Sequence, residues 1–133
     1  MEAVNIPAGV RDAMISHSRS ELPNECCGLL LGRDRIERSV PMRSDPPAPD
    51  AYCMDPEQQV AVFTDMEARG ERLLGIYHSH PAGPVHPSGM DLRRAFYPNS
   101  LYVIISLADT GRAEVGAYLL EAGQFKEVEI FYT

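Results

Sequence analysis

At 133 residues, with 44% hydrophobic and 23% charged residues, the chain has the size and make-up of one globular domain. It is long enough to bury about 70% of the surface its unfolded form exposes. Its formal net charge of −7, from 12 basic and 19 acidic residues, argues against a nucleic-acid partner, which would select clustered Lys and Arg. No apolar run approaches a membrane span, and the N-terminus MEAVNIPAGVRD has neither the basic opening nor the apolar core of a signal peptide. Three cysteines do not make a disulfide framework, so a reduced, cytoplasmic setting without a membrane partner is expected.

In chain order, the first expected element is a helix over residues 7–21. Val10, Met14 and Ile15 supply its apolar face, Pro7 suits its first turn and Pro23 closes it. Residues 26–32, CCGLLLG, read as a buried strand that turns at Gly32–Asp34 into a second strand over 36–42, forming a hairpin. Residues 43–52 carry Pro46, Pro47 and Pro49 and must be a loop; a solvated segment is favoured over the wall of a cleft. Asp55 is placed to cap a helix beginning at Pro56, running to about Arg69 and ended by Gly70. Leu73-Leu74-Gly75-Ile76-Tyr77 then reads as a buried strand. Residues 97–100 form a turn, and 101–107, apolar on both faces, is expected at the centre of the sheet. Turns at 109–111 and 121–123 separate two further strands, 113–120 and 125–132. Helix, hairpin, helix, strand, short helix and meander make an α/β protein with a mixed sheet flanked by helices. Residues 1–133 are expected to be a single domain.

The chemistry concentrates in residues 73–96, LLGIYHSHPAGPVHPSGMDLRRAF. His78 and His80 end the strand on one face, with Ser79 on the other, and start about 7 Å apart at the backbone. Both can reach one ion bound at about 2.0–2.1 Å. Pro81 stops the strand, the loop through Pro84 and Pro87 reverses the chain, and a helix is expected near Ser88. Ser88-Gly89-Met90-Asp91 has the form of a capping box, which alone explains Asp91 as well as metal binding does. Beside the two histidines, the metal reading of Asp91 prevails. Two His, one Asp and an open fourth position have the form of a catalytic zinc site. Ser88 can cap the helix while its hydroxyl faces a reacting carbonyl.

Such a site also needs a group that takes a proton from water. Glu25, at the start of an apolar strand, is the candidate, although spacing alone favours an exposed strand-start carboxylate. Asp65, Glu67 and Glu71 read as a solvated helix face, His86 as an exposed loop histidine, and His17 as a surface residue without partners. Cys26 and Cys27 point to opposite faces of a strand, so they cannot hold one ion together and read as buried thiols.

The segment His78-Ser79-His80-Pro81, six residues, Ser88, two residues, Asp91 resembles the JAMM (MPN-plus) motif of zinc metallopeptidases at every fixed position. Upstream, Pro23-Asn24-Glu25-Cys26-Cys27-Gly28-Leu29-Leu30-Leu31-Gly32 is similar to the segment carrying that family's catalytic glutamate. The resemblance covers nearly the whole chain in element order. It implies a three-layer α/β/α sandwich with a central mixed sheet, like that of cytidine deaminases. It implies one Zn²⁺ per chain on His78, His80 and Asp91, with Glu25 as general base and then acid and Ser88 stabilising the oxyanion. With no room for long insertions, the chain is similar to the compact prokaryotic members, which act on ubiquitin-like or sulfur-carrier proteins with a C-terminal Gly-Gly tail. The alternative is a non-catalytic MPN-type protein-interaction scaffold, against which the intact motif counts. The RadC group shares a related motif, with Asn typical where this chain has Ser79. Oligomeric state is not legible in the sequence.

Overall fold

The computed structural model describes residues 2–95, 97, 100–109 and 111–133. The strands are β1 (Ala3–Ile6), β2 (Cys27–Gly32), β3 (Arg38–Met42), β4 (Arg72–His80), β5 (Leu101–Ser106), β6 (Glu114–Glu121) and β7 (Gln124–Tyr132). The helices are α1 (Ala8–Ser20), α2 (Pro56–Ala68) and α3 (Gly89–Arg93). All seven strands form one sheet in the order β1-β7-β6-β5-β4-β2-β3. The wholly buried β5 lies at its centre, as its unbroken apolar run requires. The turn expected at 97–100 involves Pro98 and Asn99, and that at 109–111 involves Thr110; these three positions lie outside the described residues.

The sheet is mixed: β4–β5 and β1–β7 pair parallel, the other neighbours antiparallel. A parallel pair needs a crossover connection, and between β4 and β5 it consists of residues 81–100, including α3. The chain leaving the C-terminal end of β4 therefore passes back over the strand end that carries the two histidines. Alternate residues divide the interior into two layers. On one face Tyr77, Val103 and Ile105 pack with Val10 and Met14 of α1. On the other, Leu29, Ile76 and Tyr102 pack with Val62, Phe63 and Met66 of α2. These are the three layers of an α/β/α sandwich.

The helix boundaries have local causes. Asp55 accepts from the Glu57 amide at 3.1 Å, Pro56 occupies the first turn, and Gly70 leaves α2 with φ +69°. β1 escaped the sequence reading because it is four residues long with a polar Asn5 inside it, and its pairing partner β7 lies at the far end of the chain. His17 is not a free surface residue: its Nδ1 lies 2.7 Å from the Tyr77 hydroxyl, and burial lowers its pKa. Nor are Asp65 and Glu71 simply solvated. Arg38 contacts both, at 3.5 and 2.8 Å, across the gap between β3 and the end of α2.

Gly28 makes room for this arrangement. It pairs with Tyr77 across β2–β4, and a Cβ there would come within 2.0–2.4 Å of the tyrosine ring and hydroxyl. Gly28→Ala should therefore destabilise the fold by about 1–3 kcal/mol, the usual cost of overpacking a core. A lowered urea midpoint at unchanged m-value would record it; an unchanged midpoint would show that the ring moves aside freely.

Candidate metal centre

β4 runs to His80 without interruption, so strand alternation turns His78 and His80 toward the α2 face and Ser79 toward the α1 face. Ser79 is used structurally, its Oγ accepting from the Cys26 amide at 2.8 Å. The capping box expected at Ser88 is complete: Ser88 Oγ accepts from the Asp91 amide at 3.0 Å, and the Asp91 carboxylate accepts from the Ser88 amide at 2.8 Å. The same carboxylate faces both imidazoles. Its Oδ1 lies 3.1 Å from His78 Nε2, its Oδ2 3.0 Å from His80 Nε2, and the two Nε2 atoms are 3.2 Å apart. Capping and metal binding were rival readings of Asp91; the geometry lets one carboxylate do both.

These separations suit a cation. Bonds of about 2.0–2.1 Å to a tetrahedral ion place its ligand atoms about 3.3 Å from one another. The protonation pattern points the same way. His80 Nδ1 donates to the Pro84 carbonyl at 2.6 Å, so Nε2 of the neutral ring has only a lone pair to offer. That lone pair meets a carboxylate oxygen and a second imidazole nitrogen. Three electron-rich atoms converge, and a shared metal ion would satisfy them all. The Nδ1 of His78 is buried and has no hydrogen-bond partner among the described residues.

The electrostatics match. Without an ion, a protonated His80 can donate from Nε2 to Asp91 instead. Burial pushes Asp91 up, but the hydrogen bonds to both imidazoles in that state outweigh it and hold the carboxyl well below its ordinary range. Burial lowers His78. It pulls His80 down too, yet the Asp91 and Pro84 contacts leave that ring raised.

Glu25 is not the exposed strand-start acid that spacing favoured. It is 7% exposed, and burial pushes its carboxyl up to about 7, with His80 pulling the other way. Register explains its position. Cys27 pairs with His78, and the Ser79 amide donates to the Cys26 carbonyl at 3.2 Å, so two residues before Cys27 the chain faces His80. The Glu25 amide donates to the Ala48 carbonyl at 2.8 Å, which ties residues 43–52 to the site. That loop is thus a wall and not a solvated excursion: Pro46, Ala48, Ala51 and Tyr52 border a cavity of about 660 Å³. The Tyr52 ring also stacks on His78, centroids 5.0 Å apart at 30°. Sequence reasoning overlooked Tyr52, whose position carried no helical or strand period to betray it.

The remaining candidates stand apart. His86 is exposed and lies 3.2 Å from the Tyr118 hydroxyl. Cys26 and Cys27 are buried in the two different core layers, and burial raises both thiols, leaving them protonated packing groups.

A mixed α/β/α sheet bearing a His-x-His strand end, with a carboxylate from the following short helix, defines the JAMM (MPN-plus) class. Residues 7–118 match the family described as prokaryotic homologues of the JAB domain, and the chain belongs to that family. It is 37% identical over 125 residues to the CysO-cysteine peptidase of Mycobacterium tuberculosis, covering 92% of this chain and 86% of the relative. It is 38% identical over 120 residues to a probable TtuB-protein conjugate cleaving protease of Thermus thermophilus, covering 90% and 77%. A Desulfitobacterium hafniense protein solved in solution superimposes with a TM-score of 0.89 at 36% identity, over 98% of this chain and 92% of that one. Among the described residues, no helix is long and apolar enough to cross a membrane.

Proposed function

We propose that this chain is a zinc-dependent peptidase that hydrolyses the amide bond formed by the C-terminal Gly-Gly of a ubiquitin-like or sulfur-carrier protein. The observation that carries the reading is the convergence of His78, His80 and Asp91 opposite a buried carboxylate, Glu25. The names of the mycobacterial and Thermus relatives, which specify a CysO-cysteine adduct and TtuB-protein conjugates, support the substrate class.

His78, His80 and Asp91 would hold one Zn²⁺ per chain. Bound there, the ion supplies Lewis acidity, polarising the scissile carbonyl and acidifying water. The other steps belong to the chain. Glu25, with its carboxyl near neutrality, accepts a proton from the attacking water at one Oε. The water oxygen bonds to the carbonyl carbon, the C–N bond breaks, and Glu25 returns the proton to the departing nitrogen. Ser88 Oγ already accepts from the Asp91 amide, which leaves its own hydrogen to donate to the developing oxyanion. Glycines in the tail let its backbone approach such a centre closely, and an extended tail can add to a sheet edge. Residues 1–133 are read as one domain acting in the cytoplasm, a setting that three free cysteines support.

The test uses a carrier whose Gly-Gly carboxyl is joined to cysteine or to a lysine side chain. Zinc-loaded protein should release the carrier, seen as a mass change, and chelated protein should not. Absence of metal-dependent turnover on either adduct would return the chain to the scaffold alternative.

A further inference from the structure

The cavity beside the metal cluster is walled by apolar and aromatic groups, among them Tyr52, Met54, Ile76, Tyr97 and Tyr102, and one cation, Arg94, lines its exposed rim. Tyr52 belongs to both features, since it walls the cavity and stacks on His78. Arg94 follows Asp91 by three residues at the end of α3, a spacing that brings two side chains to one side of a helix. Arg94 and Tyr52 line the same cavity, and Tyr52 stacks on His78, so the cation faces the cavity that opens beside the histidines.

Among the described residues, no carboxylate lies within ion-pair distance of Arg94. Exposed arginines without a carboxylate partner are common in this chain, and what sets Arg94 apart is its place, as the one basic side chain among the described residues that lines the cavity. A planar guanidinium is also the side chain best shaped to grip a carboxylate through two parallel hydrogen bonds.

We infer that Arg94 binds the α-carboxylate of an amino acid attached to the carrier's Gly-Gly tail, so that the group released is a free amino acid and not the lysine of a protein conjugate. The inference rests on the peptidase reading above and names its leaving group. In a carrier–CO–NH–CHR–COO⁻ adduct, the carboxylate carbon is two bonds from the scissile nitrogen. A cation that reads it must face the cavity beside the hydrolytic centre, which Arg94 lines, and the R group then packs against the apolar wall. A lysine ε-amine presents four methylenes at that place and no anion. Arg94 is thus a specificity residue.

The experiment compares two adducts of one carrier ending in Gly-Gly, extended by cysteine as the free acid or as the C-terminal amide, on zinc-loaded wild type, Arg94→Met and Arg94→Lys. Wild type should prefer the acid by about 10–100-fold in kcat/KM, the worth of a hydrogen-bonded charge contact. Arg94→Met should bring the acid-to-amide ratio close to one, and Arg94→Lys should restore part of it. The ratio cancels any effect that loss of the arginine has on Glu25 or on folding. An unchanged ratio in Arg94→Met, or a wild type indifferent to the carboxylate, would overturn the inference while leaving the peptidase reading intact. A wild type that cleaves neither cysteine adduct but does cleave a carrier–lysine conjugate would overturn the inference alone, and one that cleaves none of the three would overturn both.

Discussion

Glu25→Gln should lower kcat for the carrier adduct by about 10²–10⁴-fold, the range that a positioned general base contributes, while zinc content stays at that of wild type. Glutamine keeps the shape and the backbone link from residue 25 to the Ala48 carbonyl, but it cannot accept the proton from water. The variant also carries a stability signature opposite to its loss of activity. Burial moves the Glu25 carboxyl from its ordinary 4.5 to about 7. Between those values the folded chain holds a proton that the unfolded chain has released. In the metal-free protein, stability therefore falls as pH rises through this window, by up to about 3 kcal/mol at one unit per 1.36 kcal/mol. The glutamine variant bears no such cost. In excess chelator at pH 8 it should unfold at higher urea than wild type, and the gap should close by pH 4. Full activity in Glu25→Gln would remove this residue from the mechanism; equal urea midpoints at pH 8 would mean that water reaches the carboxylate freely.

Where local chemistry decides structure, the residues were legible. Asp55-Pro56 and Gly70 bracket α2 because capping and positive φ are properties of one or two residues. The unbroken run of β5 marks a strand covered on both faces. The convergence of His78, His80 and Asp91 was equally readable, because strand alternation and a first-turn carboxylate convert spacing into direction. What escaped depends on distant partners. Val4 is buried only because Ile130, at the other end of the chain, pairs beside it. His17 is held by a tyrosine 60 positions away. The proline-rich loop announces itself as a loop, but only the Glu25–Ala48 hydrogen bond tells which surface it covers. The burial of Glu25 goes with that same contact, which spacing cannot show, and spacing alone therefore favoured an exposed acid. Arg94 carried a usable signal, three residues past Asp91 on one helix, and it was passed over because a charged helix end is ordinarily solvated.

Asp91→Asn should empty the site. The carboxamide retains an oxygen that accepts from the Ser88 amide, so the start of α3 survives, but the negative charge shared by His78 and His80 is gone. Loss of an outer-shell partner costs about 10–100-fold in metal affinity, and loss of a direct ligand should exceed that. Turnover should fall to background and zinc should leave on desalting. Ser88→Ala makes the opposite change. It removes the acceptor for the Asp91 amide, costs about 1 kcal/mol of cap, and leaves all three ligands in place. Zinc retained in Ser88→Ala and lost in Asp91→Asn would separate the cap that this carboxylate makes from the metal binding proposed for it. The metal-free proteins give an independent reading. The Asp91 carboxyl is held below its ordinary range, so its stabilisation is present at neutral pH and disappears as acid protonates it. Wild type should therefore outlast Asp91→Asn in urea at pH 7, with the difference shrinking toward pH 2. If Asp91→Asn bound zinc as tightly as wild type, the ion would have to sit elsewhere, and the short distances among these three side chains would reflect no more than a helix cap meeting a strand end.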